Sequence, residues 1–146
     1  MTHYRSGYRT LVAGAVAASP YFAGMTRLSA WVDGFNATSL PAWFVATPRE
    51  RAARVSHGTS QRDTDLVVGI KRLGTDDIED VLDADSAVVE QLVIAALRTQ
   101  ERDCEPGEIN IKVDGGGEQR VGTLTLTFRI TGWLPDPALS LEGREQ

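Results

Sequence analysis

Scarcity is the first information in this chain. Its 146 residues include one cysteine, Cys104, and two histidines, His3 and His57. A single cysteine excludes an intrachain disulfide, and no zinc motif assembles from it and two distant histidines. Such cysteine usage fits a reducing compartment. Long apolar runs are missing: no stretch reaches the roughly 18 residues a membrane span needs. Positive charge is in deficit, with 15 Lys and Arg against 20 Asp and Glu and a formal net charge of −5. That balance disfavours wrapping nucleic acid through general electrostatics, although a local basic patch survives it. The run from Leu11 to Ser19, behind Arg5 and Arg9, has the outline of a signal peptide. It is alanine-rich and weakly hydrophobic, and Tyr4, Tyr8, Leu11, Ala15 and Ala18 recur at helical spacing. We therefore read a helix from about residue 3 to 19, stopped by Pro20.

What is present is a globular composition, 42% hydrophobic and 24% charged, at the size of one ordinary domain. The clearest pattern is RVGTLTLTFRITGW, residues 120–133. Leu124, Leu126, Phe128 and Ile130 alternate with Thr123, Thr125, Thr127, Arg129 and Thr131, which predicts a long strand with one buried face. Ile109, Ile111 and Val113 form another alternating run. Asp114-Gly-Gly-Gly-Glu then turns it back into the long strand as a hairpin. Further strands are expected over Arg27–Val32, ending at an Asp33-Gly34 turn, over the region opened by Pro41 and interrupted by Pro48, and over Asp65–Leu73. His57 to Asp63 holds no hydrophobic residue and reads as the projecting loop of a long hairpin. A helix follows Gly74, with Asp76 and Glu79 spaced as a capping box and Leu82, Val89, Val93 and Ala96 as its stripe. Asp85-Ser86 interrupts the stripe and predicts a kink or two shorter helices, and Leu92–Leu97, apolar almost all round, predicts burial on more than one side. The tail from about 134 carries two prolines and reads as irregular. These elements give a single domain over 1–146 of the α+β class: a mixed, mainly antiparallel β-sheet with helices packed on one face.

No constellation carries catalysis. Gly115-Gly116-Gly117 has no Lys-Ser/Thr and no helix behind it, so a turn explains it better than a phosphate cradle. Asp76, Asp77, Glu79, Asp80, Asp83 and Asp85 lack EF-hand spacing and read as a solvated helix face. Ser56 and His57 are adjacent, so on an extended chain they point apart and make no nucleophile–base pair. Cys104 sits among charged residues, which makes it no obvious core filler, and the nearest histidine in sequence is far away. Asn36-Ala37-Thr38 matches a glycosylation sequon by chance. The expectation is therefore a non-enzyme without cofactor or metal. The candidate partner-binding residues are Arg49, Arg51, Arg54 and Arg62, which concentrate positive charge beside the projecting loop and suit an acidic partner.

The order of elements resembles the tail terminator proteins of long-tailed bacteriophages, the lambda-like minor tail protein U family, and their counterparts in gene transfer agents. The resemblance rests on an N-terminal amphipathic helix, Leu40-Pro41-Ala42 opening a strand before a charged hairpin, a strand from Leu66 to Leu73 running into Leu82-Asp83 and a helix to Leu97, and the closing VGTLTLTFRITGW strand. It covers most of residues 3–133, in pattern more than in fixed residues. The Tyr21–Asn36 stretch departs from it. The resemblance implies a homohexameric ring that caps the tail tube at the head-proximal end of the virion, ends its polymerisation and offers the surface for head joining. Its partners would be copies of itself, the tail tube protein and the head–tail connector. DNA would pass through the ring without being read, and assembly would take place in the bacterial cytoplasm. Rival readings are a head–tail connector or completion protein of the same particle, and a small-ligand α+β enzyme or binding module.

Overall fold

The computed structural model describes residues 3–28, 40–74, 76–115 and 120–137. The chain runs α1 (Tyr4–Ala18), a 3-10 turn (Pro20–Phe22), β1 (Thr26–Arg27), β2 (Ala42–Ser56), β3 (Thr59–Gly74), α2 (Ile78–Leu97), β4 (Asp103–Asp114) and β5 (Arg120–Pro135). The strands form one sheet in the order β1-β2-β3-β5-β4. The short β1 pairs parallel with β2 and every other pairing is antiparallel. Both helices cover the same face, so the architecture is α+β with a mixed, mainly antiparallel sheet.

The alternation in β5 explains this arrangement. Leu124, Leu126, Phe128 and Ile130 are buried against the helices. Their transfer from water contributes on the order of 6–12 kcal/mol. Ordering the backbone of the strand's 16 residues costs about 16–32 kcal/mol. The strand therefore holds its shape only because neighbours pair with it on both sides. β3 pairs with it without a break from Thr59↔Pro135 to Gly74↔Arg120, and β4 covers its other edge. From β3 come Leu66, Val68 and Ile70, from β2 Trp43, and from α2 Ile78, Leu82, Val89, Val93 and Leu97. Glycine lets α2 approach the sheet. A Cβ at Gly122 would meet Ile78 and Leu82 at 2.7–2.8 Å, and one at Gly74 would meet Ile78 at 2.4 Å.

Several local expectations change. The buried face of α1 is Tyr8, Val12, Ala13 and Val16, and Leu11 is 48% exposed. The helix turns its valines inward because they bring more apolar surface than Ala15 and Ala18. Pro48 interrupts the ladder, as expected, with a register shift between Ala46 and Arg49, but the same strand resumes beyond it. Proline lacks an N–H to donate, and a bulge accommodates that loss. The supposed loop from His57 to Asp63 reduces to a turn at His57 and Gly58, because β3 begins at Thr59 and is paired there. The N-cap of α2 is Asp77, without a side-chain capping hydrogen bond. Seating Ile78 over the two glycines fixes the start of that helix. It then runs as one helix for 20 residues, not as two shorter ones divided at Asp85-Ser86. Cys104 is fully buried opposite Ile130, since its charged neighbours Asp103 and Glu105 point to the other side of the strand. Residues 29–32 of the expected Arg27–Val32 strand, the Asp33-Gly34 turn, the Asn36 sequon and most of the glycine turn lie outside the described residues.

Candidate functional site

The helix-free face of the sheet collects the chemistry. In register across four strands it carries Arg49 on β2, Asp65 on β3, Arg129 on β5 and Glu105 on β4. Each cross-strand step joins opposite charges, which supports the sheet and leaves a patterned polar row. Arg129 reaches Glu105 at 3.1 Å. One ladder step further, Arg51 stands opposite Asp63, and Asp63 accepts a hydrogen bond from Thr131 Oγ1 at 3.0 Å. On the other side of the row lies an apolar depression of about 410 Å³, lined by Phe44, Ala46, Pro48, Val67 and Thr125. The ring of Phe44 lies over Gly69, where a Cβ would come within 1.7 Å of it. A second hollow of about 340 Å³, lined by Asp65, Glu105, Pro106, Gly107, Glu108, Thr127 and Arg129, borders the charged row itself.

Strand alternation divides the four candidate arginines. Arg49 and Arg51 lie on the helix-free face. Arg54 and Arg62 fall on the opposite side of the arm, the side that carries the helices. Arg54 bonds the carbonyl oxygens of Ser56 and His57 and pairs with Asp136 at 3.4 Å, so it closes the hairpin turn. Arg62 pairs inward with Glu50 at 3.4 Å. Among the described residues, Arg49 and Arg51 make no ion pair within 4.0 Å. One charged cluster is thus two, because residues at odd spacing along an extended chain face apart.

Glu50 organises a polar knot that single-sequence reasoning passed over. Its carboxylate accepts from Tyr4 Oη at 2.5 Å and Thr64 Oγ1 at 2.7 Å, with Arg62 at 3.4 Å and Arg5 at 4.0 Å. Burial pushes the Glu50 carboxyl up, but the hydrogen bonds from Tyr4 and Thr64 and the two guanidinium groups outweigh it and hold the acid below its usual range. The same knot raises Tyr4 to about 12, first through burial and then through its bond to Glu50. Arg62 Nε is buried without a hydrogen-bond partner. The knot fastens the start of α1 to the bulged stretch of β2.

A second missed pair sits at the other end of the sheet. Asp85, fully buried on α2, takes two hydrogen bonds from Arg72 on β3, at 2.6 and 2.9 Å. Arg72 also reaches Met25 Sδ at 3.8 Å, and burial followed by Asp85 pushes the Tyr21 hydroxyl up. The sequence does hold a signal for it: Asp85 falls within the buried spacing of Ile78, Leu82, Val89 and Val93, where an acid needs a partner. The other acids, Asp76, Asp77, Glu79, Asp80 and Asp83, are exposed. Cys104 is raised to about 11, chiefly by burial, which leaves it protonated and inert at neutral pH. Among the described residues no group of three or more His, Cys, Asp or Glu is arranged to hold a metal ion, and no helix is long and apolar enough to cross a membrane. No protein-family model matches the chain, and no curated protein matches it in sequence.

Proposed function

We propose that this chain is a structural assembly protein of a tailed-phage-like particle, acting as a tail terminator: a ring of identical copies that seats on the finished tail tube, halts its growth and presents the surface joined to the head. The observation that supports the reading most is the helix-free face of the sheet. It sets a shallow apolar depression beside an ordered row of opposite charges, with Arg49 and Arg51 projecting along the arm. A shallow, open, mixed surface of this kind suits docking to another protein subunit better than enclosing a small substrate. A ring follows when such a contact is heterologous and its rotation closes. Tube protein on one side and connector on the other would then meet chemically different surfaces, which is what stopping a polymer requires.

Electron microscopy of purified protein mixed with tail tubes tests this. Wild-type chain is expected to form rings on tube ends and to fix tube length. Arg49→Glu with Arg51→Glu should keep the circular dichroism of the folded chain and lose capping. Normal capping by that double variant would refute the placement on the helix-free face. Absence of any ring or tube binding by the wild-type chain would refute the function, and binding to the connector alone would favour a head–tail completion role.

A further inference from the structure

β4 is the outermost strand of the sheet, so among the described residues its outer edge faces no other strand. A bare edge is a template for pairing with another chain, and proteins usually blunt it with proline, bulges or isolated lysines. Here proline and the bulge protect only the first half of β4, and the second half carries one lysine, Lys112. Pro106 and the register shift between Pro106 and Ile109 spoil its first part. Residues 109–114 keep their register with β5 and contain no proline, and Glu108 stands at the end of the bulge. Period 2 places Ile109 and Ile111 on the helix side, in register with the fully buried Leu126 and Leu124. Yet the two isoleucines are 42% and 37% exposed. They continue the core to the rim of the sheet and stop there uncovered.

We infer that β4 is a self-pairing edge, along which two copies of this chain join antiparallel about a two-fold axis through Asn110. The sequence Glu108-Ile109-Asn110-Ile111-Lys112 is its own complement under that operation. Glu108 meets Lys112 of the second copy, twice over, on one face. Ile109 meets Ile111 of the second copy on the other, and Asn110 meets itself. Isologous contact demands this kind of self-complementarity. Neighbouring registers lose it. Moving two residues one way sets Glu108 against Asp114, moving the other way sets Lys112 against Pro106, and parallel in-register pairing sets Glu108 against Glu108. Directly opposed like charges destabilise a ladder and opposite ones support it, so charge selects the register centred on Asn110. Within one copy these charges are weakly engaged: Lys112 reaches Asp114 at 3.7 Å with both side chains more than half exposed, and Glu108 accepts from exposed Asn110 at 3.2 Å. The edge is a different surface from the charged row, so the pairing does not depend on tube capping.

Two measurements on the full chain test it. In an Asn110→Cys variant the two new thiols would face each other across the axis, with Cα atoms about 4.5–5.5 Å apart, within disulfide reach. Mild oxidation is expected to give a covalent dimer, and the fully buried Cys104 does not compete. In sedimentation equilibrium, Glu108→Lys or Lys112→Glu should each weaken dimerisation about tenfold or more. The double swap, Glu108→Lys with Lys112→Glu, should restore it. A folded Asn110→Cys protein that stays monomeric on oxidation would overturn the pairing. So would single reversals that leave the dissociation constant unchanged, or a double swap as weak as the single ones.

Discussion

Glu50 shows how much one side chain can hold. Replacing it with alanine strands Tyr4, Thr64 and Arg62 without their acceptor in a half-buried setting, which should cost about 2–4 kcal/mol. Thermal unfolding checks it, and Thr64→Val in the same background should cost little more, since the two share one bond. The pH response has a definite sign. The acid is depressed in the folded chain, so its contribution is present above the unfolded carboxylate range and disappears as pH falls through the lower folded value. Tyr4 works in the opposite direction. It is raised from 10.0 to about 12, so its contribution is intact below about 10 and is lost as pH rises through 12. Wild-type chain and a Glu50→Gln variant should therefore converge in stability at acid pH, as read by denaturant titration at pH 3 and 7. The sequence hid this knot because its members lie 46 and 14 positions apart, a separation that no local pattern reports.

At the level of elements, strand alternation was the reliable signal, while helical spacing misplaced the face of α1. The faces of β5 and the β4–β5 hairpin were legible because alternation ties every other residue to a common environment. The ends of β2 and β3 were not, because pairing with β5 extends β3 through the polar arm and pairing with β3 carries β2 past Pro48. Two glycines separate packing from propensity. Gly69→Ala puts a methyl into the Phe44 ring and should destabilise by about 1–3 kcal/mol. Gly14→Ala, on the exposed side of α1 with open space around it, should stabilise by about 0.4–1 kcal/mol. Differential scanning calorimetry would show the two shifts in opposite directions. Asp85→Ala, which leaves Arg72 half-buried opposite an empty site, should cost about 3–5 kcal/mol. Asp85→Leu should cost nearly as much, because it fills the volume and leaves the same Arg72 charge without its acceptor.

For the whole molecule, the candidate arginines were legible as a composition and illegible as a geometry. Four positive charges in fourteen residues stand out in any reading of the chain, but only the sheet shows that Arg49 and Arg51 share a face while Arg54 and Arg62 are turned away and engaged. The charged row from Arg49 to Glu105 was out of reach for the same reason: it needs the order β2-β3-β5-β4, which no local pattern specifies. A single core cluster joins both helices to the sheet. Unfolding followed by far-ultraviolet and by tryptophan signals should therefore coincide in one transition.

The inner strand, β3, waits for its second neighbour until the C-terminal strand is made, since Thr59 finds its mate at Pro135. Before β5 is made, a β2–β3 hairpin would carry an unpaired β3 edge, and Leu66, Val68 and Ile70 would lack Phe128, Leu126 and Leu124 beside them. Nascent chains of this protein are thus most prone to stick to one another just before the last segment emerges, and products truncated ahead of residue 120 have no route to the native sheet.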